Sequence, residues 1–425
     1  MVCFSLLVLA CALPATYAWL PNDGSTKLVD TDGHSLFEGN GTSSNKSGIT
    51  PRWWNSSGKI RGVNLGSVFV YEPWIDSGEW NKMGCGSYKS EFDCVSKLGQ
   101  AKSDAAFQKH WDTWLTAADL DEMLTYGINT IRIPLGYWLD ESLVDKSEHF
   151  PKGAVTYLIR LCGWASDRGF YIILGHHGAP GAQERQNPFT GQYATTPGFY
   201  NDYQYNRGVK FLKFLRKLVH DHNEFRNVGM IEVLNEPVAW DRKVQSMRSV
   251  FYKDAYTGIR QVEKDLNVAR NNYVHIQMMN TNWGSGNPVE FLSDTYFTAF
   301  DDHRYLKWST SVSVSHQSYI STSCKDNRNS DAAGPTIVGE WSIAVPDNVE
   351  STDGWSPSKQ KAFYKKWFAA QVYSYEKSTA GWVFWTWKTA LGDDYRWSYK
   401  GKSPAVAAGV IPKDLNTIAT SGVCG

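Results

Sequence analysis

Val228-Gly229-Met230-Ile231-Glu232-Val233-Leu234-Asn235-Glu236-Pro237 is an apolar run that stops on an amide, a carboxylate and a proline. A short run of this kind, bounded by polar residues, reads as a strand buried on both faces, the type from which parallel sheets are built. Asn235 and Glu236 then stand at its C-terminal end. Ile337-Val338-Gly339-Glu340-Trp341-Ser342 repeats the arrangement 104 residues later with a second carboxylate. Two acidic side chains at the ends of two strands are what cleavage of a glycosidic bond requires: one acid protonates the leaving oxygen, and one carboxylate meets the oxocarbenium-like carbon.

On either side of these runs, from about Ile60 onward, short apolar segments alternate with amphipathic ones, the pattern of repeated βα units. Strands are predicted at Ile60–Leu65, Asn129–Pro134, Tyr171–Leu174, Val228–Leu234, Tyr273–Met279, Tyr296–Asp301, Thr336–Gly339 and Trp382–Trp385. Eight is the count that closes a barrel, so the expected fold is α/β, a (β/α)8 TIM barrel with long loops at the C-terminal face. Helices are predicted at Ala117–Tyr126, with Thr116 and Asp119 as a capping box, and at Ala154–Asp167, Gly208–His222 and Val244–Asp265. Ser356 and Pro357 look like the start of a further helix that carries Phe363, Trp367 and Ala370 on one face. Two long polar stretches, Ser67–Lys109 and His176–Asn206, follow the first and third strands and read as cleft walls.

A chain of 425 residues suits one such barrel with insertions. Residues 1–18 read as a signal peptide, with the apolar run Phe4–Leu13 followed by Thr16-Tyr17-Ala18. Residues 19–58 read as an N-terminal extension and 59–425 as the catalytic barrel. No later run approaches the ~20 apolar residues of a membrane span, so the expected location is secreted, extracellular or in the cell wall, with no membrane partner. Sequons at Asn40, Asn45 and Asn55 suit an exposed glycosylated segment. Without the signal, five cysteines remain, and an oxidising compartment favours pairing Cys85 with Cys94 and Cys324 with Cys424, leaving Cys162 as a buried thiol. Lys+Arg and Asp+Glu both total 43, and no basic stripe is interleaved with aromatics, which argues against nucleic acid. A monomer is expected. There is no H-E-x-x-H, G-x-S-x-G, Walker loop or G-x-G-x-x-G, so neither metal nor cofactor is expected.

Around the two glutamates, Glu236 reads as general acid/base and Glu340 as nucleophile held ionised by hydrogen bonds, with the Asn235 amide placed for the sugar 2-hydroxyl. Arg132, inside the second strand, needs a carboxylate partner, and Glu340 is the obvious one; a purely structural ion pair is the alternative. His177 ends the third strand, while His303 and Tyr305 follow the sixth. The tyrosine hydroxyl would stabilise the nucleophile, and the histidines would bond sugar hydroxyls or orient carboxylates. Trp385 reads as the floor under a sugar ring, with Trp382 and Phe384 in the core.

Arg61-Gly62-Val63-Asn64-Leu65-Gly66, Glu72-Pro73-Trp74, His110-Trp111, Ile131-Arg132-Ile133-Pro134, His177-Gly178-Ala179-Pro180-Gly181, Leu234-Asn235-Glu236-Pro237, Val338-Gly339-Glu340-Trp341-Ser342 and Gly381–Thr389 together resemble the fungal β-glucanases of glycoside hydrolase family 5. The resemblance spans about residues 60–400. It implies a (β/α)8 barrel, retention of configuration, no metal and a β-glucan polysaccharide or oligosaccharide as substrate. It also implies Glu236 as acid/base, Glu340 as nucleophile, and Arg132, His177, Asn235, His303, Tyr305 and Trp385 as the surrounding subsite. Ser67-Val68-Phe69-Val70-Tyr71 and the loop after Gly181 depart from the exo-β-1,3-glucanase branch and resemble the endo-β-1,6-glucanase branch. Exo-β-1,3-glucanase activity is the alternative, and a noncatalytic glucan-binding protein the alternative from another class.

Overall fold

The computed structural model describes residues 58–329, 333–400 and 405–425. Eight strands, β1 (Ile60–Asn64), β2 (Thr130–Gly136), β3 (Tyr171–Gly178), β4 (Val228–Glu232), β5 (His275–Met279), β6 (Thr298–Arg304), β7 (Thr336–Trp341) and β8 (Gly381–Phe384), close into one barrel in chain order. All pairs are parallel, including β8 with β1. Every predicted strand is present, with ends shifted by a few residues. β3 and β6 run further than expected because their outer residues keep pairing: Gly136 lies opposite Gly178, and His303 opposite Glu340.

Side chains alternate across each strand, so every second residue points into the barrel. Ile60, Ile173, Met230, Ala299, Ile337 and Val383 pack there with Tyr171 as a dry apolar layer. Two residues further along β3, β4, β6 and β7 the same alternation reaches Gly175, Glu232, Asp301 and Gly339. A Cβ on Gly175 would lie 2.8 Å from Glu232 Oε2, and one on Gly339 would collide with the Asp301 carboxylate. These two glycines therefore make room for a layer of buried charge directly above the apolar one.

The helix Ala154–Asp167 forms as predicted, and Ala117–Thr125 starts at the expected box, with the Thr116 N–H donating to Asp119 Oδ2 at 3.0 Å. Three helices differ from expectation. Asp202–Asp221 begins earlier because Asn201 caps it by accepting from Gln204 N–H. The predicted 244–265 helix passes through a π-helical stretch, Met247–Tyr252. The last, Lys361–Ser378, does not start at Ser356: that serine and Pro357 belong to a separate turn, pinned by Gln360 Nε2 donating to Asp353 O at 3.0 Å. Phe363, Trp367 and Ala370 are buried along it, as expected.

The stretch Ser67–Lys109, read from the sequence as a polar cleft wall, is only partly polar. It buries Val68, Phe69, Val70 and Tyr71 and folds into Ser77–Lys82, Glu91–Leu98 and the helix starting at Gln100. Cys85–Cys94 cross-links it, Cys324–Cys424 ties down the C-terminal segment, and Cys162 is free and buried, as the sequence predicts. Among the described residues no helix is long and apolar enough to cross a membrane. The signal peptide at 1–18, the extension up to residue 57 and the sequons at Asn40, Asn45 and Asn55 lie outside the described residues.

Candidate active site

A cleft of about 400 Å³ opens at the C-terminal ends of the strands, where a barrel of this kind carries its chemistry. Glu236, Glu340, Asn235, His177, Tyr305 and Trp385, all singled out from the sequence, line it. One carboxylate oxygen of Glu236, one of Glu340 and a ring nitrogen of His303 lie within 4.8 Å of one another.

Glu340 sits on β7, buried, with each oxygen held by a different donor. Arg132 Nη1 donates to Oε1 at 2.8 Å and the Tyr305 hydroxyl to Oε2 at 2.9 Å. Burial pushes the Glu340 carboxyl above its usual range, against the opposing pull of His303 and Arg132. The hydrogen bonds from Arg132 and Tyr305 favour the ionised form that the sequence reading expects, while burial and the Glu236 and Asp301 charges work against it. Burial and the neighbouring Glu340 hold the Tyr305 hydroxyl well above its ordinary value, so it remains a donor.

Glu236 lies four residues beyond the end of β4, in a turn and not in the strand itself. Its φ of +41° is in the left-handed region, a conformation that costs a non-glycine residue about 1–3 kcal/mol and persists only when its surroundings over-determine it. They do so here. Asn235 N–H donates to His176 O at 2.9 Å, Gln183 Nε2 to Asn235 O at 2.9 Å, Trp283 Nε1 to Pro237 O at 2.7 Å, and Val238 N–H to the Tyr200 hydroxyl at 2.7 Å.

Arg132 and His303 do not line the cleft; they lie one layer below and touch the glutamates. Arg132 is fully buried, with Nη1 also donating to Asn64 Oδ1 at 2.8 Å and Nη2 donating to Glu232 Oε2 at 2.6 Å and Asn235 Oδ1 at 2.8 Å. Asp301 is 3.5 Å from Nη2. Because arginine only donates, the Asn235 atom facing it is the oxygen, and the amide N–H₂ is the end left for a ligand. His303 Nδ1 is 2.8 Å from Glu236 Oε1 and 3.6 Å from Glu340 Oε2, while Nε2 is 3.6 Å from Asp301. Burial alone would lower this imidazole, yet Glu340 and Asp301 raise it well above its ordinary value, which makes it a cation that donates to Glu236.

His177 behaves oppositely. Burial, then Arg132 and His303, push it well below its usual value, so it is neutral, and it stacks on Trp385 at 5.9 Å with an interplanar angle of 18°. Among the described residues neither of its ring nitrogens has a protein hydrogen-bond partner. Trp385 follows β8, its N–H donating to Trp341 O at 2.8 Å, and the peptide after it is cis. Trp382 and Phe384 pack in the core against Trp341 and Phe368, as expected.

Two clusters, Glu236–His303–Glu340 and Glu232–Asp301–His303, bring metal-ligand side chains together. In both, positive charge comes from the protein, through Arg132 and the raised His303.

Several residues of the site carry no assigned role in the sequence reading. Glu72 lines the cleft and accepts from Trp74 Nε1 at 2.8 Å; burial pushes its carboxyl up to about 8, with Glu340 and Glu236 adding to the effect. Glu232 is likewise pushed up to about 8 by burial, against the pull of Arg132. Glu232 and Asp301 are charged residues inside apolar strands, the same signal that singles out Arg132. Trp308 and Trp397, which form a wall with Trp74 and Tyr305, carry no signal beyond composition.

A model of the family described as cellulase (glycosyl hydrolase family 5) matches residues 95–391. The chain is 58% identical to "Probable glucan endo-1,6-beta-glucosidase B" of Neosartorya fischeri, over 96% of each chain. It is 54% identical to "Glucan endo-1,6-beta-glucosidase B" of Emericella nidulans, over 99% of each. Identity to "Glucan 1,3-beta-glucosidase" of Candida oleophila is 28%, over 88% of this chain and 93% of that one. Among solved structures, rutinosidase from Aspergillus niger superposes with a TM-score of 0.63 at 19% identity, covering 87% of this chain and 99% of the other, a likeness of fold.

Proposed function

The chain belongs to glycosyl hydrolase family 5, a family of retaining enzymes, and on that footing we propose that it is a secreted endo-β-1,6-glucanase with Glu236 as general acid/base and Glu340 as nucleophile. The observation that carries the assignment of roles is the approach of the two carboxylates, with oxygens within 4.8 Å. That is the separation at which one carboxylate attacks carbon itself; inversion needs roughly 6.5–9.5 Å to admit a water between them.

In the first step a Glu340 oxygen forms a bond to the anomeric carbon as the glycosidic C–O bond breaks, and the Glu236 proton passes to the leaving oxygen. In the second, Glu236, now a carboxylate, takes a proton from water, and the water oxygen displaces Glu340 from carbon. Arg132 and Tyr305 fix the two oxygens of Glu340, and His303 tethers Glu236. The Asn235 amide suits the 2-hydroxyl, the unpartnered His177 nitrogens suit another hydroxyl, and Trp385 provides an apolar floor.

The β-1,6 linkage is supported by identity: relatives named for that activity share about twice as many residues with this chain as relatives named for β-1,3. Secretion is supported by two disulfides and by the apolar run at 4–13. A cleft built wholly from one chain suits a monomer. Incubation with a linear β-1,6-glucan and with a β-1,3-glucan, followed by sizing of the products, tests the proposal. Mixed β-1,6 oligosaccharides are expected; glucose released only from the β-1,3 polymer would overturn the linkage, and intact binding with no cleavage of any β-glucan would overturn catalysis.

A further inference from the structure

Trp240 is the most exposed large apolar side chain among the described residues, at 85%, and stands four residues after Glu236. Burying an indole is among the larger gains a folding chain can make, so one held in water invites a reason. Its own backbone holds it there. Trp240 has a φ of +57°, and its N–H donates to Gly284 O at 2.9 Å. The ring lies so close over Gly284 that a Cβ on that residue would collide with it.

Gly284 follows Trp283, whose Nε1 donates to Pro237 O at 2.7 Å and whose ring meets His303 edge-on at 5.7 Å. His303 in turn bonds Glu236. An unbroken series of contacts therefore runs from the acid/base through His303, Trp283 and Gly284 to the exposed indole. Four residues of chain reach at most roughly 14 Å, so the indole stands within a few sugar units of Glu236. It does not line the cleft itself, to which this segment contributes Asn235 and Glu236.

We propose that Trp240 is a distal stacking platform for a glucan chain on the leaving-group side of the cleaved bond, and so a determinant of preference for long substrates. The inference rests on reading Glu236 as the acid/base, because that group faces the leaving oxygen and the sugars beyond that oxygen extend past it. A fixed flat ring matches the C–H face of a pyranose without requiring any hydrogen-bond register. One ring is far short of the ~800 Å² per partner that a stable protein interface takes, whereas stacking on a sugar needs no more. Continuity with the cleft through Trp283 and His303 makes the occupant the substrate chain.

The test compares kcat/KM on linear β-1,6-glucan with kcat/KM on a short aryl β-gentiobioside, whose aryl leaving group stops short of Trp240. The polymer-to-short ratio is expected to fall about 3- to 10-fold in Trp240→Ala, the range of one aromatic stacking contact, and to be largely restored in Trp240→Phe. An unmoved ratio overturns the proposal, whether both rates fall, as a structural effect on Glu236 would make them, or neither does. If the wild-type enzyme cleaves β-1,3-glucan instead, the same ratio is read with that polymer and its short aryl glycoside, so the linkage can fail without deciding the platform. If the wild type cleaves neither, retardation of Trp240→Ala in gels containing each polymer decides it: migration as slow as wild type refutes the platform.

Discussion

Replacing Arg132 with lysine asks whether the buried layer beneath the glutamates is held by charge alone or by the shape of the guanidinium. Arg132 spreads its donors over two sides: Nη1 serves Asn64 and Glu340, and Nη2 serves Glu232 and Asn235. A lysine ammonium carries three donors on a single atom and reaches only one side. The other side loses two charge-assisted hydrogen bonds at about 1.5–3 kcal/mol each, or about 3–6 kcal/mol in all. The separate figure for breaking a buried ion pair, about 3–5 kcal/mol, agrees. At about 2–4 °C per kcal/mol for a large domain, Arg132→Lys should lower Tm by roughly 6–24 °C. Thermal unfolding followed by circular dichroism, with the urea midpoint as a second measure, reads the effect. Adding Glu232→Gln should recover part of the loss, because an amide needs no cation beside it at any pH. A Tm for Arg132→Lys within about 2 °C of wild type would show that a point charge suffices and that the bidentate argument is wrong.

Glu340→Gln should abolish turnover while leaving affinity for glucan nearly intact, because the amide keeps the shape but cannot attack carbon; an unchanged rate would remove Glu340 from its role. Burial pushes Glu72 and Glu91 from 4.5 to about 8, so between those values the folded chain binds protons that the unfolded chain releases. That contribution to stability is fully present below about pH 4.5 and lost as pH rises through about 8. Burial pushes His110 and His176 from 6.5 down to about 4, which raises stability as pH climbs to about 6.5, so the carboxyl effect is read above that value. Tm should decline from pH 6.5 to 8, with a shallower slope in Glu91→Gln, and a Tm that rises between those two values contradicts this. The Cys324–Cys424 bridge closes a loop of 100 residues, and its removal by Cys324→Ser with Cys424→Ser should cost about 2–5 kcal/mol, read as a drop in the urea midpoint.

The barrel is legible in the sequence because strands buried on both faces must be continuous apolar runs, and Val228–Leu234 and Thr336–Gly339 are such runs with a carboxylate just beyond them. Arg132 is legible for the opposite reason, as a charge where an apolar residue belongs. By the same logic Glu232 and Asp301 could have been found, since each interrupts an apolar strand. The start of the 361–378 helix was not, because Ser356-Pro357 satisfies a local capping pattern that the turn held by Gln360 overrides. Trp240 looks like any other loop tryptophan until Gly284 and Trp283 are seen to hold it out in solvent.

Local pattern settles which residues become strands and that Glu236 and Glu340 lie at or shortly after two of them, because these follow from burial and spacing over a few residues. Barrel closure alone decides that oxygens of carboxylates 104 residues apart lie within 4.8 Å, that one guanidinium serves four acceptors from three segments, and that His303 is a cation while His177 is neutral. Those outcomes depend on register across neighbouring strands and on the water that folding removes, and neither quantity is encoded in any short stretch of chain.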